Sequence, residues 1–331
     1  MITLITILLI VILVFGHEFG HFIAAKISGI RVDEFGIGFP PKIFSKKWGE
    51  TEYSINAIPF GGFVRIHGEN STDVDEDHSR SFSIQPFYKK AFVIISGVAM
   101  NFLLAWVAFS IFFSVGISNT LIIQDVVSGS PADVAGFEPG ERIQGFTDGD
   151  EFIAYIDSNL GKEILLNERT VTPRENPPED EGALGIVFAP IEVEAIGPLQ
   201  SIGEGFKMTI ELTWLIILAF GSLIASIFTG NTEIVGQVAG PIGVFNLVRE
   251  GSALGLGPLM QIMGLISLHL AVLNLVPFPA LDGGRLLFIA IRDFSKGKIL
   301  TEKTEAIVNT IGFGILILLM VLVTIRDIIN L

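Results

Sequence analysis

The stretch FGHEFGHFIA, residues 15–24, lies inside the first apolar run of a 331-residue chain. Its two histidines and one glutamate stand where a membrane-crossing helix would otherwise carry only hydrocarbon. An ionisable side chain in such a segment costs at least a few kcal/mol, so it faces a protein interior or a cavity and serves a purpose. His17 and His21 are one helical turn apart, hence on one face, where both imidazoles can reach one metal ion. Glu18 projects beside that ion, where a carboxylate can take a proton from water. The H-E-x-x-H pattern is therefore read as a zinc site holding a single Zn²⁺, with His17 and His21 as ligands and Glu18 as acid/base. When bound, zinc acidifies water towards a pKa of about 7. The competing reading, two core histidines bonded to backbone, would sink three polar groups into lipid to no use.

The rest of the chain fits a membrane setting. Half of the residues are hydrophobic and the mean hydropathy is +0.62. The apolar residues are concentrated in long uncharged runs before His17 and at 91–124, 212–232, 251–281 and 306–325. A hydrocarbon layer of roughly 30 Å takes about 20 helical residues, so each run is a candidate span. The first has no basic leader and no small-residue cleavage site, and is expected to be a retained helix. There is no cysteine, which excludes disulfides and thiolate metal sites.

Charge orients these runs. The net charge is −14, yet 26–90 holds nine Lys/Arg and 285–303 holds five, while 116–206 holds four among many carboxylates. By the positive-inside rule the two basic segments are cytoplasmic and 116–206 is outside. No basic patch suggests a nucleic-acid partner. If all five runs crossed, 285–303 would fall on the wrong side. The run at 212–232, with Gly221 and a Ser/Thr-rich end, is the one to demote. The stretch FKMTIELTWLIILAFGSLIASIFTG is read as a helix or helical hairpin on the outer membrane surface, although hydropathy alone favours a span.

A catalytic zinc usually has three protein ligands and one open position. The stretch NLVPFPALDGGR, 274–285, offers the third. Asp282 is the first charge after a long apolar run. Gly283 and Gly284 allow close backbone approach, and Pro277 and Pro279 break the helix beside it. Asp282 and the histidine pair both lie towards the cytoplasmic ends of their helices, so the half-sites share a depth. A plain helix-end carboxylate is the alternative for Asp282. His269 is a rival ligand, about three turns away and more simply a hydrogen-bonded interior histidine.

Taken together, these motifs resemble the site-2 protease family of intramembrane zinc metalloproteases, in the bacterial branch that includes the regulator of sigma-E protease. SGVAMNF, 96–102, resembles that branch's G-x-x-x-N motif, with Gly97 and Asn101. EFGIGFPPKIF and TEYSINAIPFGGFVRIHG resemble its membrane-reentrant β-loop, GSPADVAGFEPGERI, 129–143, resembles part of a PDZ domain, and VAGPIGVFNLV, 238–248, resembles the segment before the Asp-bearing helix. The resemblance implies His17, His21 and Asp282 as zinc ligands and Glu18 as the catalytic acid/base. It also implies that Asn274, Pro277 and Pro279 handle unwound substrate backbone. There is room for one PDZ-like module, where the sigma-E type has two.

The expected architecture is a polytopic α-helical membrane protein with four transmembrane helices, a membrane-reentrant β-loop and an inserted extracytoplasmic PDZ-like α+β domain. Its parts are a first span at 1–25, a cytoplasmic region with the β-loop at 26–90 and a second span at 91–115. A PDZ-like domain at 117–195, surface helices at 196–250, a third span at 251–281 and a packing span at 303–326 follow. The reentrant strand could accept an extended substrate by β-augmentation, or be an ordinary hairpin. The acidic stretch ENSTDVDEDHSRS, 69–81, is expected to be a solvated loop. By resemblance, the substrates are membrane segments of single-span regulators of the anti-sigma-factor type, pre-cut by another protease, or signal-peptide remnants. The setting is the cell membrane, with the active site towards the cytoplasm. Two other classes remain open on sequence: an inactive helix-binding PDZ scaffold, and a zinc-handling membrane protein.

Overall fold

The computed structural model describes residues 2–69, 78–178, 181–229, 240–295 and 301–329. Most of the acidic 69–81 stretch and the last three residues of the 212–232 run lie outside the described residues. The chain divides into two compact units, one of residues 1–109, 205–249 and 261–331, the other of 110–204 and 250–260. Among the described residues, five helices are long and apolar enough to cross a bilayer: Ile2–Ile27, Phe87–Val115, Pro198–Ser226, Leu256–Leu275 and Lys303–Ile329. The chain is a multi-pass membrane protein.

In the first unit, α1 (Ile2–Ile27) and α2 (Phe87–Val115) meet along small residues. A Cβ on Gly20 would lie 2.3 Å from the Ser96 carbonyl oxygen, and one on Gly16 would lie 2.4 Å from Leu104 Cδ1. Helices without a hydrophobic drive between them associate through such close packing. The opposite face of α1 carries rings. Phe15 and Phe22 stand 5.4 and 5.2 Å from Phe35, which itself lies 6.3 Å from Tyr53. This aromatic cluster fastens a two-stranded sheet of β1 (Val32–Trp48) and β2 (Thr51–Ile66) to α1.

The pairing in that sheet is doubled. Phe35 has partners in both Tyr53 and Val64, Gly36 in Ser54 and Phe63, and Ile37 in Ile55 and Gly62. Residues 34–37 thus run between two stretches of β2, while 42–48 fold back over 51–56. Alternating apolar and polar residues account for the strands, and Gly49, at φ +63, closes the tight turn between them. Glu50 in that turn accepts from Arg80 and Lys26, and these two cations, Arg80 foremost, hold its carboxyl down at about 2.

The run at 251–281, expected as one span, is three pieces. It holds the end of α6 (Pro241–Leu254), then α7 (Leu256–Leu275), then a turn at 276–281. Gly255, at φ +111, breaks α6 from α7. The chain then enters α8 (Asp282–Ser295) and α9 (Glu302–Ile329). Ile289 of α8 joins Ala24, Ala25, Ile30, Phe82, Val93 and Ile94 in one buried cluster, and Lys90 pairs with Asp293 at 3.0 Å. The 212–232 run belongs to a longer, unbroken helix, α5 (Pro198–Thr229), so the hairpin alternative falls. Nothing lies within 4 Å of where a Gly221 side chain would begin, and the helix runs on past that residue to Thr229. Ile216 of α5 packs with Ala105, Phe109, Leu268 and Val272.

The second unit is α+β. β3 (Ile117–Val126) pairs antiparallel with β6 (Ile186–Val193), and β4 (Ile164–Leu166) with β5 (Arg169–Val171). Asn167 and Glu168, both at positive φ, make the two-residue turn between β4 and β5. α3 (Pro131–Val134) starts at a Ser130 cap and α4 (Gly149–Asp157) at an Asp148 cap. Phe152 lies at the centre of the core, 5.2 Å from both Phe146 and Phe188, with Leu121, Ile123, Ile143 and Leu166 buried around it.

The α1–α2 contact yields a comparison. Gly20→Ala should destabilise the protein by about 1–3 kcal/mol, because the atom it meets is backbone and cannot swing away. Gly16→Ala meets only a flexible leucine end and should cost less. Thermal midpoints of the two variants in one detergent test this order; equal losses would contradict the close-approach reading.

Candidate metal centre and active site

His17 and His21 sit on the buried face of α1, both at most 9% exposed. Asp282 opens α8, at the positive end of its dipole, where a carboxylate is favoured. The three residues form a group whose ligand atoms converge. His17 Nε2 lies 3.0 Å and His21 Nε2 3.3 Å from Asp282 Oδ2, and the two Nε2 atoms are 3.2 Å apart. An ion about 2.0–2.1 Å from each donor at tetrahedral angles would hold them roughly 3.3 Å apart. Asp282 Oδ2 is buried, and the two imidazole Nε2 atoms are its neighbours. A buried carboxylate oxygen and two imidazole nitrogens converging on one point are the donor set that a zinc ion takes, so these residues fit the metal.

The neighbouring helix α2 shapes the site in two ways. A Cβ on Gly97 would come within 2.4 Å of His21 Nε2 and 2.9 Å of His17 Cε1, so only glycine leaves the rings their place. The Val93 carbonyl lies 2.8 Å from His21 Nδ1. A carbonyl can only accept, so Nδ1 carries the proton and Nε2 presents its lone pair towards Asp282. Asn101, fully buried, reaches His17 Nδ1 at 3.2 Å.

Glu18 is half-buried and makes no hydrogen bond or ion pair among the described residues; it lies in the electrostatic field of His17, His21 and Asp282. Gly62 of β2 passes close by, since a Cβ there would lie 3.5 Å from Glu18 Cγ. Among the described residues, the β2 stretch at 62–66 is paired on one side only, with β1.

The turn that delivers Asp282 is tightly built. A Cβ on Gly283 would lie 2.3 Å from the Leu275 carbonyl oxygen, and one on Gly284 would lie 2.1 Å from that of Phe278. Pro277 is exposed within the turn and Pro279 packs on Gly312 of α9. Asn274 ends α7, half-buried, and its amide has no hydrogen-bond partner among the described residues. His269 is absent from the cluster. It faces outward rather than inward, and its Nδ1 donates to the Leu265 carbonyl of its own helix.

Sequence reasoning missed three contributors. Ala280 adopts φ +73, and its N–H donates to Asn309 Oδ1 of α9 at 3.1 Å. Ser267 of α7 donates to the Asn101 carbonyl at 2.8 Å. At the far end of α9, Asp327 accepts from the Gly240 and Gly243 N–H groups at the start of α6, at 3.4 and 3.0 Å. The terminal helix is therefore more than the plain packing span expected. The available signal was a single amide, Asn309, inside the uncharged run 306–325, and a carboxylate, Asp327, just past its end.

Comparison with known proteins gives the family. The description of peptidase family M50 matches residues 5–319. A relative named as a zinc metalloprotease in Clostridium perfringens is 36% identical, with 96% of this chain and 95% of the relative covered. A Synechocystis relative, also named as a zinc metalloprotease, is 33% identical over 97% of this chain and 92% of its own length. Zinc metalloprotease RasP of Shouchella clausii is 28% identical, with 96% of each chain covered. With two histidines, a neighbouring glutamate and an aspartate gathered at one point among membrane helices, the chain belongs to peptidase family M50 and is a zinc metalloprotease of the site-2 type.

Proposed function

We propose that His17, His21 and Asp282 are the zinc ligands and Glu18 the acid/base of an endopeptidase that cuts membrane segments of other proteins. The observation that carries this is the convergence of three buried donor atoms 3.0–3.3 Å apart beside an unpaired glutamate. When bound, zinc supplies a Lewis acid that polarises the scissile carbonyl and acidifies water. Glu18 accepts a proton from the attacking water, whose oxygen joins the carbonyl carbon, and returns it to the leaving nitrogen as the C–N bond breaks.

An incoming helix must unwind first, and its freed amides and carbonyls then need partners where lipid offers none. The one-sided pairing of 62–66, alongside Glu18, supports this reentrant edge as the place where an extended substrate adds a strand. Asn274 carries both a donor and an acceptor. Its lack of an internal partner favours substrate contact over a capping role, with Pro277 and Pro279 keeping the stretch from closing into helix. The substrates are single-span regulators of the anti-sigma-factor type, pre-cut by another protease, or signal-peptide remnants, and the second unit is a PDZ-like module outside the cell membrane.

We also read four of the five apolar helices as crossing, with α5 on the outer surface. α9 pairs through Glu305 with Arg292 of α8 at its start and through Asp327 with the start of α6 at its end. Its 28 residues span about 42 Å, a length that supports α6 and α8 on opposite faces. α8 shares the basic side with the end of α1 and the start of α2. The start of α5 follows Ile196, whose N–H donates to the Phe113 carbonyl near the end of α2. On this reading the chain is outside both before α5 and at α6, and α5 does not cross.

Three outcomes test this reading. Purified protein should carry close to one zinc; His17→Ala should lose it, while Glu18→Gln should keep it and abolish cleavage. Zinc retained in full by His17→Ala would remove the ligand assignment. For topology, single cysteines in this cysteine-free chain should react with an impermeant thiol reagent from outside at 120–200 and 240–248, but not at 285–295. Labelling of 240–248 from the cytoplasm alone would mean that α5 crosses. Finally, Asn274→Leu should keep zinc yet lose most cleavage of a helical substrate, and lose less on one pre-weakened by Gly or Pro. Equal losses on both would leave Asn274 only a capping role.

A further inference from the structure

We propose that Asn101 is a positioning residue that sets the tautomer of His17 and so makes it ready for metal; this rests on His17 being a ligand. Asn101 is 0% exposed, its Nδ2 lies 3.2 Å from His17 Nδ1, and its Oδ1 is buried without a partner. The residue is held from behind as well. Its carbonyl accepts from Ser267, itself fully buried, so α2 and α7 are tied together at this point.

The two imidazoles are governed differently. His21 faces a carbonyl, which fixes one tautomer. His17 faces an amide, which can donate or accept. With Nδ2 donating, His17 keeps its proton on Nε2, aimed at Asp282 Oδ2 3.0 Å away. That is the arrangement of a site without metal. A half-turn of the amide exchanges its two ends and presents the unpartnered Oδ1 to His17 Nδ1–H. Nε2 is then a bare lone pair, as a zinc ligand must be. An asparagine can serve both states, whereas an apolar residue serves neither. A carboxylate serves only the second. Gly97 lies one turn before Asn101 on α2, so one helix face both makes room for the rings and selects their protonation.

Zinc affinity of the full chain in detergent, measured by competition with a chromophoric chelator, tests this. Asn101→Leu should weaken zinc binding by about 10–100-fold, the range seen when such supporting groups are removed. Asn101→Asp, an acceptor of the same shape, should bind close to wild type. Loss from a folded Asn101→Asp, or full retention by Asn101→Leu, would overturn the proposal. If neither variant folds, ¹⁵N-histidine spectra of the wild-type protein decide. The His17 signal, identified by its absence in His17→Gln, should move from the Nε2–H to the Nδ1–H pattern on adding zinc; no change would overturn the proposal. His17→Ala serves as control. Zinc kept there sinks the ligand reading itself, whereas zinc lost there but kept in Asn101→Leu sinks only the role of Asn101.

Discussion

Two imidazoles and a carboxylate would each be costly at membrane depth, and they are tolerable only in one another's company. That demand organises the first unit. α1 supplies the histidine pair on the face that also carries Gly16 and Gly20, so α2 can come close. α2 answers with a glycine where the rings need space and with a carbonyl and an amide where their far nitrogens need partners. The turn after α7 brings Asp282 in, and Gly283 and Gly284 let carbonyls of the end of α7 and of the turn press against the first turn of α8. Packing and polar satisfaction here are one requirement met by the same residues.

Much of this could be read in the sequence because its signals are local. H-E-x-x-H needs only helical spacing, and Asp282 stands out as a lone charge closing an apolar run. The small residues at Gly97 and Gly283 mark close approach without saying to what. The doubled pairing of β1 is another matter. Residues 34–37 choose two partners from β2, and alternation fits either one. Likewise, hydropathy merges α6, α7 and the turn after them, because a break made by Gly255 leaves no charge to announce it.

The most distant contacts were the least legible. Asn309 meets Ala280 across 29 residues, and Asp327 meets Gly243 across 84. No period or composition in either helix names such a partner. The left-handed Ala280 is the extreme case. Nothing in an alanine foretells φ +73, and the conformation makes sense only beside the amide oxygen that holds its N–H.

Those two contacts give α9 a mechanical character. Asn309 and Asp327 are 18 residues apart, which is five full turns, so both lie on one face and about 27 Å from each other along the axis. That separation is close to the thickness of a hydrocarbon layer. Thin or thick bilayers are normally met by a change of tilt, but a helix buttoned at both ends cannot lean without pulling on what it is buttoned to. At one end that is the cap of α6; at the other it is the turn that carries Asp282. If α9 crosses the bilayer, the local thickness of the membrane and the seating of Asp282 are joined by a single rod.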